Sequence, residues 1–122
     1  MIRGLILFAH GAREAAWAAP FEAVAARLRA QRPGLQVVVA YLELMTPDLP
    51  AAAASLAQAG CTRIHVVPMF LGTGGHVRRD LPALVDALRE KHPGVEWTLH
   101  APIGERPDVI AAMATAALDG TE

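Results

Sequence analysis

Three residues whose side chains can bind a metal ion or a proton follow apolar runs of the sequence. They are His10, Glu43 and His76. A neutral imidazole suits first-row divalent ions, and a pair of imidazoles leaves coordination positions open for a second ligand. A nearby carboxylate can accept protons that this ligand releases. These residue types predict a catalytic site in which His10 and His76 hold a divalent metal ion and Glu43 or one of the histidines takes up protons.

Each of these residues also has a simpler interpretation. Either histidine could be a helix cap or a loop residue without a ligand, and Glu43 could be a solvated residue before a helix. The metal-site interpretation is favoured because the predicted fold brings the ends of the preceding strands to one edge of a sheet.

The glycines before His76 make its approach free of side chains. Gly72, Gly74 and Gly75 would let a flat ligand come close to the backbone, and we predict Gly74 and Gly75 as substrate-binding residues. A phosphate-binding loop is not favoured, since these glycines keep neither the P-loop pattern nor the dinucleotide-binding spacing.

Three arginines lie beside the predicted metal ligands. Arg13 follows His10 closely, and Arg78 and Arg79 follow His76. Guanidinium groups form charge-assisted hydrogen bonds with carboxylates, so we predict that these arginines bind acidic groups of a substrate. Arg78 and Arg79 could equally form a solvated helix entrance.

The remaining histidines differ in their expected roles. His65 lies inside a predicted strand and should face a helix, which indicates a structural residue. His92 falls in the last turn of a predicted helix, where a cation suits the helix dipole. His100 ends the fourth predicted strand at the functional edge and is a further candidate for the site.

Four short apolar runs alternate with segments of helical periodicity, which is typical of a parallel sheet covered by helices on both faces. The predicted strands are residues 5–9, 36–41, 63–69 and 95–99. We therefore predict a three-layer α/β fold with a four-stranded, flavodoxin-like sheet of order 2-1-3-4. In that order strands one and three are neighbours, and a crevice opens beyond their carboxyl ends.

Helix boundaries follow from caps and prolines. Thr46 is the predicted cap of the second helix, with Pro47 at its first position and Gly60 at its end. The third helix should begin near residues 80–82, because proline is favoured in a first turn, and end at His92.

The first and last helices are predicted from their apolar residues. The first should bury one stripe and end at Pro33-Gly34, while the last should run from residue 107 to about 118. The stripe of the first helix consists of Trp17, Phe21, Val24 and Leu28.

Composition excludes several classes of protein. A chain of 122 residues, 53% hydrophobic and 19% charged, can bury one compact core and is unlike a disordered segment. The net charge of −1 and the absence of a basic run disfavour nucleic acid as a partner. The apolar run near the amino terminus is too short for a signal or membrane segment, so we expect a cytoplasmic protein. Cys61 is the one cysteine and is expected to be a buried filler.

Several blocks of the sequence together resemble a known family, the class II chelatases of the sirohydrochlorin cobaltochelatase and ferrochelatase group, of the small CbiX or SirB type. The resemblance covers nearly the whole chain, residues 1–122, as a single domain. It rests on Leu7-Phe8-Ala9-His10-Gly11-Ala12-Arg13, Tyr41-Leu42-Glu43 with Pro47, Val67-Pro68-Met69-Phe70-Leu71-Gly72, Gly75-His76-Val77, Asp80-Leu81-Pro82 and Pro102-Ile103-Gly104.

This resemblance implies ATP-independent insertion of Co²⁺ or Fe²⁺, with Ni²⁺ as a further candidate, into sirohydrochlorin for cobalamin or sirohaem synthesis, without an organic cofactor. His10 and His76 match the family's metal-site histidines, and Glu43 matches its acidic residue after the second strand. The resemblance also implies a homodimer, with the tetrapyrrole held near the interface between two copies.

The sequence departs from the family at Ala12, where serine is common, and this keeps a second hypothesis open. That hypothesis is a carrier that binds metal or tetrapyrrole without catalysis. A third hypothesis, a histidine phosphatase, is less favoured because Ala9 stands where that family has arginine before its histidine.

Overall fold

The structure, a computed structural model, describes residues 2–72 and 74–121 and contains a four-stranded parallel sheet of order β2-β1-β3-β4. The described residues also form four α-helices and two short 3-10 helices. The strands are β1 (Ile2–Ala9), β2 (Gln36–Tyr41), β3 (Cys61–Pro68) and β4 (Glu96–Leu99). The helices are α1 (Ala19–Gln31), α2 (Leu49–Gln58), α3 (Gly75–Lys91) and α4 (Pro107–Asp119), with 3-10 helices at Ala15–Ala18 and Ile103–Glu105.

The predicted α/β class and strand order are confirmed. Strand β1 lies between β2 and β3, and its Leu7 pairs in register with Val39 on one side and Val67 on the other. Because β1 is covered on both faces, its residues alternate between two cores instead of alternating between core and solvent. This explains why the run reads as continuously apolar.

Two apolar cores lie on opposite faces of the sheet. On one face α2 and α3 pack over the strands, and the largest side chains that are completely buried there belong to Ile6, Phe8, Ile64, Val66 and Val85. On the other face α1 packs on β1 and β2, around Leu7, Ala9, Ala25, Val37, Val39 and Tyr41.

The stripe predicted for the first helix is partly wrong. Trp17, Phe21 and Leu28 pack against the core, but Val24 is exposed and the buried residue of α1 is Ala25. Trp17 belongs to the preceding 3-10 helix, so the buried stripe of α1 itself is Phe21, Ala25 and Leu28, at spacings of four and three, with Val24 at its edge.

The predicted start of the second helix is also wrong. Asp48, not Thr46, is the cap, and its carboxylate accepts a hydrogen bond from the Ala51 amide at 2.9 Å. Pro47 lies before the helix and its carbonyl accepts a bond from the Tyr41 amide, which keeps this segment extended beside β2.

The third helix begins earlier than predicted. It starts at Gly75 and includes Pro82 in its interior, although proline lacks the amide hydrogen that an interior position uses. Val77 and Leu81 lie four residues apart on the face that packs against the core, followed by Val85 and Leu88. Burial of this stripe offsets the hydrogen bond lost at Pro82.

Helix α4 has no buried residue. Its apolar side chains Ile110, Met113 and Leu118 are exposed, and the helix packs chiefly against the 3-10 helix that precedes it. An apolar helix of this kind normally covers a core, so α4 leaves an apolar surface available.

Cys61 is buried in the core as predicted, and burial raises the pKa of its thiol above the ordinary value. None of the described helices has the length and apolar character that crossing a bilayer requires.

Candidate functional site

The carboxyl ends of β1 and β2 bring His10 and Glu43 together. The amide of Leu42 donates to the Ala9 carbonyl at 2.9 Å, and the amide of Glu43 donates to the His10 carbonyl at 3.1 Å. These bonds continue the pairing of β1 and β2 past the strand ends. The backbone therefore places the two side chains next to each other.

The side chains of His10 and Glu43 form a hydrogen-bonded pair. Nε2 of His10 lies 3.2 Å from Oε1 of Glu43, and the two side chains are 50% and 55% exposed. An ionised carboxylate only accepts hydrogen bonds, so Nε2 carries the hydrogen while Glu43 is charged. Nδ1 of His10 then has a free lone pair, and half of each side chain is open to a ligand.

Gly11 holds the connection between His10 and Glu43 in place. Its φ is +97°, in the region that favours glycine, and a Cβ at this position would overlap the carbonyl oxygen of Glu43. The His-Gly pair is thus required by the close approach of two backbones.

Phe70 packs beside His10 and was not predicted as a site residue. The two ring centroids are 6.2 Å apart at an interplanar angle of 66°, an edge-on contact that orients the imidazole. Phe70 is buried, and its carbonyl accepts a hydrogen bond from the Gly104 amide at 2.9 Å. Its position as an aromatic residue directly after an apolar predicted strand was the sequence signal that could have indicated a site residue.

His76 is exposed in the first turn of α3, and not before the helix as the predicted start near residues 80–82 implied. It follows β3, so it starts from the same edge of the sheet as His10. Within residues 2–72 and 74–121, no group of three histidine, cysteine, aspartate or glutamate side chains is arranged to hold a metal ion. The structure therefore brings His10 and Glu43 together without adding His76 to them.

The glycines before His76 lie at the start of α3. Gly74 caps the helix without a side-chain hydrogen bond, and Gly75 is its first residue. A Cβ at Gly74 would meet open space. Packing within the chain does not require glycine there, and the first helical amides are accessible to a ligand.

The three predicted arginines have different surroundings. Arg78 forms an ion pair of 2.6 Å with Glu105, which ties α3 to the second 3-10 helix. Arg13 and Arg79 are exposed, before α1 and in the first turns of α3. Arg78 would have to leave Glu105 to bind a substrate carboxylate.

His100 is paired with His65. Nδ1 of His65 lies 2.8 Å from Nε2 of His100, on the face of β3 and β4 opposite to α2 and α3. Burial, followed by the nearby His65 and Arg106, lowers the pKa of His100 below its ordinary value. The structural role expected for His65 stays a prediction, since its observed partner is His100, and α1, the helix on that face, packs on β1 and β2. His92 ends α3 as predicted.

A family model named CbiX matches residues 4–119. A sirohydrochlorin cobaltochelatase of Sulfolobus acidocaldarius is 30% identical over 101 residues, which cover 83% of this chain and 78% of that protein. A sirohydrochlorin ferrochelatase of Bacillus subtilis is 29% identical over 75 residues, 62% of this chain and 29% of the relative. The chain thus spans less than a third of that longer relative.

Solved structures share the fold over nearly the whole chain. A protein of Marinobacter aquaeolei VT8, described as a cobalamin biosynthesis CbiX protein, is 32% identical with a TM-score of 0.84, covering 98% of this chain and 97% of that one. The sirohydrochlorin chelatase SirB from Bacillus subtilis in complex with cobalt is 24% identical with a TM-score of 0.81, covering 98% of this chain and 51% of that one. The family model and the Sulfolobus relative each cover most of the chain, so the protein belongs to the CbiX family.

Proposed function

We propose that the protein is a sirohydrochlorin chelatase that inserts Co²⁺ or Fe²⁺ into the tetrapyrrole without ATP. The observation that carries the proposal is the half-exposed His10–Glu43 pair, 3.2 Å apart at the carboxyl edge of a CbiX-family sheet. An imidazole can hold the ion and the adjacent carboxylate can take a proton, which are the two operations that insertion requires.

Proton transfer follows from the geometry of this pair. Insertion of a divalent ion replaces two pyrrole N–H hydrogens, so two protons leave the macrocycle for each ion bound. When the ion binds Nε2 of His10, the hydrogen on Nε2 leaves to solvent and Nδ1, whose lone pair is free, takes up one proton from solvent, so the imidazole stays neutral. The carboxylate then lacks its donor and can accept a pyrrole proton. The second proton passes to solvent or to a histidine.

His76 is proposed as the second protein ligand of the ion. It extends from the first turn of α3 and is exposed, so its ring can reorient when the ion and the macrocycle bind. Two imidazoles leave the other coordination positions to the pyrrole nitrogens. A site with few protein ligands suits an ion that must be released.

The rim of the macrocycle carries carboxylates, for which Arg13 and Arg79 are the proposed partners. Arg78 can join them by exchanging Glu105 for a substrate carboxylate. The amides at Gly74 and Gly75, at the positive end of the α3 dipole, are proposed to bind a further acidic group.

We also propose a homodimer. The support is helix α4, whose apolar side chains have no cover within the described residues 2–72 and 74–121. The sheet face carrying Val67 and Met69 is only partly covered, because α1 packs on β1 and β2. A second copy can bury both surfaces. The cytoplasmic location stays a prediction of the sequence.

A metal-insertion assay tests the proposal. Sirohydrochlorin is mixed with Co²⁺ or Fe²⁺, and its absorption spectrum is followed with wild type, His10→Ala and His76→Ala. We expect wild type to accelerate insertion and each variant to lose about 100-fold or more of the rate. His92→Gln is the matched control, since His92 lies at the far end of α3.

The carrier hypothesis predicts a different result in the same assay. A carrier would bind the ion or the tetrapyrrole, yet wild type would not exceed the spontaneous rate of insertion. That outcome would reject the chelatase function. The observation that keeps the carrier in consideration is that His76 does not join His10 and Glu43 in a three-residue group among the described residues.

A further inference from the structure

Two leucines stand in solvent beside the His10–Glu43 pair. Leu44 is 60% exposed and Leu71 is 71% exposed, and neither belongs to a helix or strand. Each directly follows a residue that contacts His10: Glu43 through its hydrogen bond and Phe70 through its ring. Because β1 lies between β2 and β3, the leucines lie on opposite sides of His10.

The backbone at Leu44 adopts a conformation that leucine disfavours. Its φ is +66°, and the Met45 amide donates to the Glu43 carbonyl at 2.8 Å across it, forming a tight turn. Glycine adopts this region without steric cost and asparagine tolerates it better than leucine. The turn therefore does not explain why a large apolar side chain occupies this position.

Both loops are held by glycines that allow close backbone contacts. Gly11 approaches the Glu43 carbonyl so closely that a Cβ would overlap it, and Gly104 approaches the Leu71 backbone in the same way. The Gly104 amide also donates to the Phe70 carbonyl at 2.9 Å. The backbone next to each leucine is thus in close contact with a neighbouring segment, and such contacts reduce the backbone freedom that is lost when a ligand covers the side chain.

We infer that Leu44 and Leu71 form the apolar surface on which one flat face of the tetrapyrrole rests while its centre lies over His10. This inference rests on the proposed function. A macrocycle has a broad apolar face and an acidic rim, so it needs apolar contacts beneath it and cations around it. The leucines supply the apolar contacts on both sides of the imidazole, and these contacts fix the position of the macrocycle relative to the ion.

A binding titration of metal-free sirohydrochlorin, followed by absorption, tests the inference on the full chain. The variants are Leu44→Asn, Leu71→Asn and the double variant. Each single substitution is expected to raise the Kd about tenfold, the loss for one leucine contact with the ligand. Leu44→Met, which keeps an apolar side chain of similar volume, should stay within about threefold of wild type.

Stability and metal binding distinguish this role from a structural one. Leu44→Asn should melt at the same temperature as wild type or higher, because asparagine accepts a positive φ more readily. Co²⁺ affinity, measured by a separate titration, should not change in either leucine variant. Val24→Asn is the matched control, since Val24 is an exposed apolar residue on the outside of α1, and its Kd should equal that of wild type.

Three results would reject the inference. If wild type binds sirohydrochlorin and the double variant binds equally well, the leucines are not the contact surface, and the chelatase function stands. If wild type does not bind sirohydrochlorin, both the inference and the proposed function fail. If binding is lost together with Co²⁺ affinity or thermal stability, the leucines act through the fold and the inference also fails.

Discussion

The chemistry assigned to the site depends on where one hydrogen lies between His10 and Glu43. At 3.2 Å the carboxylate accepts this hydrogen from Nε2, and it loses that donor when a cation takes the same nitrogen. Binding of the ion and readiness to accept a proton are therefore coupled in a single contact. His10 and Glu43 could be predicted because each follows a recognisable strand. Their hydrogen bond and the ring of Phe70 could not, because side-chain contacts depend on the register of β1, β2 and β3.

Replacement of Glu43 by glutamine tests the proton transfer. The amide oxygen of glutamine can still accept a hydrogen bond from His10, but it cannot take up a proton under assay conditions. We expect kcat for Co²⁺ insertion to fall about 100-fold while KM for the tetrapyrrole changes little. Steady-state kinetics measure both constants. A raised KM with unchanged kcat would show that Glu43 binds substrate and does not accept its proton.

The His65–His100 pair makes stability depend on pH. The folded chain lowers the pKa of His100 from its ordinary 6.5, mainly through burial, so folding disfavours the protonated form. Stability is therefore fully present above the unfolded pKa and decreases as pH falls through the lowered value. His100→Gln removes this contribution. Melting temperatures between about pH 8 and about pH 5 should fall less steeply in the variant than in wild type. Parallel curves would contradict the assignment.

Helices α2 and α3 show how far local sequence patterns predict the start of a helix. A proline near the start of a helical pattern indicates a first turn. In α2 the first-turn proline is Pro50 and not the predicted Pro47, and in α3 Pro82 lies in the helix interior and not in the first turn. The rule fails because the stripe that includes Val77 extends the buried face of α3 before the proline. Tertiary burial outweighs one missing hydrogen bond, and a local rule cannot measure burial.

Pro82→Ala should stabilise the protein. Alanine restores the interior hydrogen bond, while the gain is reduced because the unfolded chain becomes more flexible, leaving about 1–2 kcal/mol in the free energy of unfolding. Urea unfolding measures the change. Pro50→Ala is the matched control, because the first-turn amide at Pro50 has no partner within the helix and its replacement should bring no gain. Equal gains at both positions would refute the explanation.

At the scale of the whole molecule, the sheet order places the site and was predictable. Short apolar runs separated by helices permit few right-handed arrangements, and β2-β1-β3-β4 is one of them. The exposure of α4 was not predictable, since residues 107–119 read as an ordinary apolar helix. Whether another chain buries such a helix depends on the oligomeric state, and the apolar pattern of one chain does not predict that state.

Met113→Glu tests the proposed dimer. A charge in the middle of the apolar surface of α4 must be desolvated if a second copy covers it, so the variant should be monomeric and should lose most of its insertion activity. Sedimentation measures the assembly state. Val24→Glu places a charge on the exposed side of α1 and should leave the wild-type dimer intact. A wild type that is monomeric and fully active would rule the dimer out.

The uncovered surface of α4 also has a kinetic consequence. If the working enzyme is a pair of chains, the rate per chain must decline on dilution, since fewer chains find a partner. Joining two copies by a flexible linker would replace that encounter with a local concentration of about millimolar. The fused protein should keep its turnover at dilutions where separate chains lose activity. Two copies of the domain on one polypeptide therefore have a physical advantage at low concentration.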